Sequence, residues 1–98
     1  MAWSGGEVTV AATATRLSTA LGLANDTKCT EVQFTTIAAN AVYLGPSTLT
    51  ATTNRRGSIA GANTSYKLGP DPYSGFTLGD IYFIGTASDK LLVSLDLK

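Results

Sequence analysis

Two apolar runs near the end of the chain limit its folding choices more than any other feature. They are Asp80-Ile81-Tyr82-Phe83-Ile84-Gly85-Thr86 and Lys90-Leu91-Leu92-Val93-Ser94-Leu95-Asp96-Leu97. Both are rich in β-branched, aromatic and leucine residues, and the polar link Thr86-Ala87-Ser88-Asp89 suits a hairpin between two strands. In the first run Ile81 and Phe83 share one face while Tyr82 and Ile84 share the other, the pattern of a strand covered on both sides. The second run alternates, with Leu91, Val93, Leu95 and Leu97 facing one way and Ser94 and Asp96 the other.

The remaining chain repeats this pattern in shorter pieces. Glu7 to Ala11 reads as a first strand with Val8 and Val10 inward, preceded by an irregular arm over residues 1–6 that carries the only tryptophan, Trp3. Residues 13–23 are ambiguous, because Leu17, Ala20 and Leu21 fall at helical spacing in a short, threonine-rich run. Thr30 to Ile37 predicts a strand with Val32 and Phe34 inward and Glu31 and Gln33 outward. Ala41 to Gly45 predicts another, stopped by Pro46, which cannot donate to a ladder.

Beyond Pro46 the apolar signal weakens. The residues suggest a weak strand over 48–52, a protruding loop over 54–57, and short strands over 65–68 and 73–78 around the turn Gly69-Pro70-Asp71-Pro72. Short strands with a turn signal about every ten residues define an all-β chain, an antiparallel β-sandwich or a small jelly-roll-like barrel. At 98 residues, 1–98 is expected to form a single β domain with one core.

Composition narrows the chemistry. Histidine is absent, which removes the commonest general base, the Ser-His and Cys-His nucleophile pairs and most zinc sites. The seven acidic residues are scattered over strand ends and turns, and no spacing pairs two of them for acid–base work. Asp71, Asp80 and Asp89 lie in loops where calcium takes its ligands, but without dense carboxylate spacing they read as turn formers. Cys29, the single cysteine, sits in a strand-like run and reads as a small buried apolar residue. These readings predict no enzyme, no catalytic residue, no metal and no cofactor.

Seven basic residues balance seven acidic ones, so the basic excess that attracts nucleic acid or anionic lipid is missing. No apolar run approaches the roughly 20 residues of a membrane helix, and the first residues do not read as a secretion signal. The expectation is therefore neither a nucleic-acid nor a membrane partner. A weakly charged surface of threonine, serine, asparagine and glycine is common in secreted, cell-surface and virion β proteins. Three residues stand out as candidate partner contacts. Arg55 and Arg56 form the one basic doublet, either a solvated loop tip or a contact with an acidic partner surface. Trp3 either folds back on its own domain or anchors in a neighbouring chain.

Four segments, Glu7-Val8-Thr9-Val10, Ala41-Val42-Tyr43-Leu44-Gly45-Pro46-Ser47-Thr48-Leu49, Gly79 to Thr86 and Lys90 to Leu95, together resemble small virion structural proteins encoded near the head genes of tailed bacteriophages. The resemblance spans most of the chain and rests on strands and turns; residues 50–66 match least. It implies a β-sandwich capsid decoration, or cement, protein, a homo-oligomer (a trimer by preference) on the capsid exterior that bridges major capsid proteins. The alternative is a tail or fibre module that binds a host receptor or carbohydrate, with Tyr43, Tyr66, Tyr73 and Tyr82 as stacking faces.

Overall fold

The computed structural model describes residues 3–70 and 75–97, with side chains from residue 5 onward. Among these residues are nine strands: β1 (Trp3–Thr9), β2 (Thr15–Arg16), β3 (Lys28–Thr36), β4 (Val42–Gly45), β5 (Gly57–Ile59), β6 (Ser65–Leu68), β7 (Phe76–Thr77), β8 (Tyr82–Ile84) and β9 (Lys90–Leu97). A five-residue helix α1 (Leu17–Leu21) and a 3₁₀ turn over Leu78–Asp80 complete the set. All strand pairs are antiparallel. The larger sheet runs β1-β9-β3-β6, with β7 also on β3, and the smaller runs β2-β8-β4-β5. The two sheets pack face to face as an all-β sandwich.

Alternation decides what enters the core. From the larger sheet Val32 and Phe34 of β3 and Leu91, Val93 and Leu95 of β9 point inward, and a register shift after Cys29 brings that residue in as well; Val42, Leu44, Ile59 and Phe83 meet them from the smaller. Phe34 and Phe83 are both fully buried. Each such side chain contributes about 1.5–3 kcal/mol by leaving water. β8 is central in its sheet, between β2 and β4, as its two apolar faces predicted.

The predicted closing hairpin does not form. β8 and β9 belong to opposite sheets, and the link between them arches across the sandwich. Its backbone bonds to Val10, the residue that continues β1 beside β9: the Val10 N–H donates to the Asp89 carbonyl at 2.8 Å, and the Ser88 N–H donates to the Val10 carbonyl at 3.0 Å. Ser88 takes a left-handed conformation, φ 74°, at the bend. The arch lets Phe83 and the Leu91–Leu95 row face each other across the core instead of lying side by side.

The expected arm over residues 1–6 is also different. From Trp3 onward the backbone is strand, with Trp3 opposite Asp96 and Gly6 opposite Val93. Gly5 lies at φ 116°, and a Cβ there would meet the Val93 carbonyl oxygen at 2.2 Å. A glycine that looks like a breaker in sequence is here what permits close strand approach.

Residues 48–52 are a turn rather than a weak strand. The Thr50 hydroxyl accepts from the Thr53 N–H at 2.9 Å, and buried Leu49 packs beside Gly45. The predicted loop over 54–57 is an exposed loop over 54–56, with Gly57 already in β5, and the predicted strand over 73–78 shrinks to β7 and the 3₁₀ turn, residues 71–74 lying outside the described residues. α1 resolves the ambiguous stretch: it buries Leu17 and Ser18, and Gly22 ends it in a left-handed conformation at φ 71°.

Thr36 joins the sheets through the crossover that follows β5. Its buried hydroxyl donates to the Ala60 carbonyl at 2.6 Å, lies 3.2 Å from the Thr64 carbonyl, and accepts from the Thr64 N–H at 3.3 Å. Replacing it with valine keeps the shape but strands these groups, a cost of about 1–3 kcal/mol. We expect Thr36→Val to lower the urea midpoint accordingly while Thr36→Ser stays within about 1 kcal/mol of the parent; equal midpoints for parent and valine variant would remove the hydroxyl from this role.

Candidate functional site

The outward side of the smaller sheet collects the chain's least expected chemistry. Because Leu44 and Phe83 are paired and inward, their half-buried neighbours Tyr43 and Tyr82 lie on the outward side, where Arg16, opposite Tyr82, joins them; Ile84 shares that side but is buried. Ser58 of β5, opposite Tyr43, is exposed on the same side. The Arg16 guanidinium carbon stands 5.3 Å from the Tyr82 ring centroid, and its Nε donates to the Tyr82 hydroxyl at 2.7 Å. The Arg55 guanidinium carbon stands 4.6 Å from the Tyr43 ring centroid. Both distances lie within the range where a ring's negative face attracts a cation.

This face has no carboxylate of its own. None of β2, β4, β5 or β8 carries an acidic residue, whereas Glu7, Glu31 and Asp96 lie on the larger sheet. Asp80 borders a shallow cleft of about 320 Å³ with Arg16, Pro46, Ser47 and Tyr82. Among the described residues the only ion pair is Lys67 to Glu31, at 3.9 Å on the larger sheet. Neither stacked arginine is neutralised by a partner within it.

Of the three predicted contact residues, the structure brings two near each other. Arg55 covers Tyr43, and Arg56 follows it, its N–H donating to the Leu44 carbonyl at 2.7 Å as the β4–β5 ladder begins. The Arg56 residue lines an open, mainly apolar groove of about 310 Å³ where β5 and β6 edge the two sheets, with Leu44, Tyr66, Leu68, Asp80 and Ile81. Trp3 lies elsewhere, at the start of β1 in the larger sheet, and its side chain is outside the described part. Arg16, Tyr43 and Tyr82 as a set escaped the sequence reading. The signal was present in part, since alternation around Leu44 and Phe83 places both tyrosines outward.

The larger sheet presents a different outward surface. Among the described residues the exposed large hydrophobic side chains are Leu92 of β9, at 40% exposure, and Ile37 just after β3, at 42%. Leu92 lies between Glu7 and Thr35 in the ladder, in a setting dominated by short hydroxyl and amide side chains.

Among the described residues no group of three or more histidine, cysteine or acidic side chains is arranged to hold a metal ion. No helix among them is long and apolar enough to cross a membrane. Cys29 is buried in β3, its thiol 3.6 Å from the Phe76 carbonyl. Comparison of the chain with protein-family models, with curated proteins and with solved structures gives no match.

Burial pushes the Cys29 thiol above its ordinary value of 9.0, because the thiolate would lose its hydration inside the core. The folded state therefore holds the proton where the unfolded chain releases it. This contribution to stability is complete below the ordinary thiol value and is lost as pH rises through the higher, folded one. We expect urea midpoints to fall above about pH 9 and Cys29→Ala to flatten that fall; identical pH slopes for the two proteins would contradict it.

Proposed function

We propose that this chain is a non-enzymatic virion structural protein of a tailed bacteriophage, a capsid decoration or cement protein. It sits on the capsid exterior as a homo-oligomer, a trimer by preference, and bridges major capsid proteins. The observation that carries this reading is a rigid slab with two chemically different faces. One presents Arg16 and Arg55 held over tyrosine rings; the other presents exposed Leu92 between Glu7 and Thr35. A protein that bridges neighbours needs two unlike contact surfaces on a stiff body, and a two-sheet sandwich supplies them. Repetition over many copies makes modest single contacts sum.

The alternative, a fibre or tail module stacking sugars on tyrosine, is less well supported. Tyr43 and Tyr82 each already have a guanidinium over the ring.

The test is whether the purified protein binds expanded phage heads in a fixed copy ratio and raises the temperature or osmotic shock at which they burst. Equal shell stability with and without it, or retention of whole cells or glycans by the immobilised protein instead, would overturn the decoration reading.

A further inference from the structure

The outward face of the smaller sheet is more specific than a general contact surface. Register sets its spacing. Tyr82 is opposite Gly45, and Tyr43, two residues before Gly45 in the same strand, is opposite Ile84. The two tyrosines are therefore diagonal neighbours on one face, about 7–8 Å apart. Each carries its own arginine, Arg16 reaching Tyr82 from β2 and Arg55 reaching Tyr43 from just before β5.

Stacking removes much of the freedom these long side chains would otherwise have to surrender on binding. It also leaves donors over. Arg16 uses Nε on the Tyr82 hydroxyl, and its two terminal nitrogens make no hydrogen bond among the described residues. Arg55 makes none with any of its nitrogens among them. A guanidinium with spare donors in a planar fork matches a carboxylate better than any other common group. Arginine and tyrosine are also the residue types that dominate binding energy at protein contacts.

We propose that this face docks an extended acidic segment of a partner protein, one that places carboxylates at alternate positions. In an extended strand, alternate side chains recur about every 6.6–6.8 Å, close to the roughly 7–8 Å diagonal spacing of the two tyrosines that carry the arginines. Arg16 and Arg55 each take one carboxylate, and exposed Ser58 lies beside Tyr43 to bond the segment's backbone or side chains. A nucleic acid fits less well, because bases need open aromatic faces and both rings are covered. The inference rests on the reading that the chain works by packing against neighbouring proteins, and it specifies the chemistry of one of those contacts.

The experiment is an NMR titration of the isotope-labelled full chain with the peptide Ser-Glu-Thr-Glu-Thr-Glu-Ser. Shifts are expected at the Arg16 and Arg55 Nε–H groups and at the Ser58 and Ile84 amides, weakening as salt is raised. The double variant Arg16→Lys, Arg55→Lys keeps the charge but loses the planar forks, and should bind at least tenfold more weakly. Tyr82→Phe, which removes only the hydrogen bond positioning Arg16, should fall between the two, while Lys67→Ala on the other sheet should match the parent. Thermal unfolding of each variant confirms that it folds.

Shifts confined to the larger sheet, undiminished binding by the double lysine variant, or equal shifts with a short DNA duplex would each overturn the proposal. The same variants assayed on phage heads separate the two claims. Heads that bind parent and double variant alike refute the face and keep the bridging role. Heads that bind neither protein refute the bridging role, and the peptide titration still judges the face.

Discussion

The structure depends on the contact between the inward row of the β3–β9 pair and Phe83 of β8. β3 and β9 are the two longest strands, paired side by side, and together they offer Val32, Phe34, Leu91, Val93 and Leu95 as one continuous apolar surface. Phe83 presses into it from the opposite sheet, flanked by Val42, Leu44 and Ile59. Neither surface is stable in water alone, and each is what the other needs to cover it. Truncating Phe34 or Phe83 would open a cavity at the centre of this contact, a loss of about 3–5 kcal/mol in a domain of ordinary stability.

Once that contact exists, the polar structure around it is determined by the need to satisfy backbone groups. Two of the places where the chain leaves one sheet for the other are the arch before β9 and the crossover after β5. At the first, Val10 takes up the freed N–H and carbonyl groups. At the second, the Thr36 hydroxyl and backbone do so, with the Thr64 N–H and the Ala60 carbonyl as partners. Gly61 passes so close that a Cβ would meet the Ala39 carbonyl oxygen at 2.0 Å. Such tight, bonded crossings make the sandwich a stiff body, and stiffness is what allows its outward faces to act as fixed contact surfaces.

The division of charge follows from the same alternation. All three arginines, Arg16, Arg55 and Arg56, accompany the smaller sheet, while Lys28, Lys67 and Lys90 lie on strands of the larger. The lysines have hydroxyl or carboxylate company there: Lys67 approaches Glu31 and Lys90 donates to the Thr9 hydroxyl. Arginine's weaker hydration and planar shape suit it to lie over a tyrosine ring, where a lysine would keep its water. The outward face of the smaller sheet is thus cationic without being strongly hydrated, a surface readily covered by a partner.

Much of the core was legible in the chain by itself. Period-two alternation identified Val32, Phe34, Leu91, Val93 and Leu95 as inward residues and β8 as a central strand, because side-chain direction in a strand is a local property of the backbone. Cys29 was legible as a buried residue from its type, although alternation alone would set it on the face of Glu31; a register shift between the two turns it inward. The misreadings have a common cause in distance along the chain. The start of β1 read as an irregular arm because what Gly5 permits, close approach to Val93, involves a residue far away in sequence. β5, only Gly57 to Ile59, carries too few residues to show alternation and exists because β4 pairs with it. Arg16 and Tyr82, separated by 66 positions, become a pair only through the β2–β8 register.

Sequence alone determined that this is an all-β chain and which side of its main strands is apolar, since both follow from residue type and a two-residue repeat. Tertiary structure decided that β8 and β9 part into opposite sheets, because pairing partners are chosen by how two apolar surfaces best cover each other, and local pattern carries no record of that choice. It decided the arginine–tyrosine face as well, because that face exists only where strands distant in sequence lie side by side.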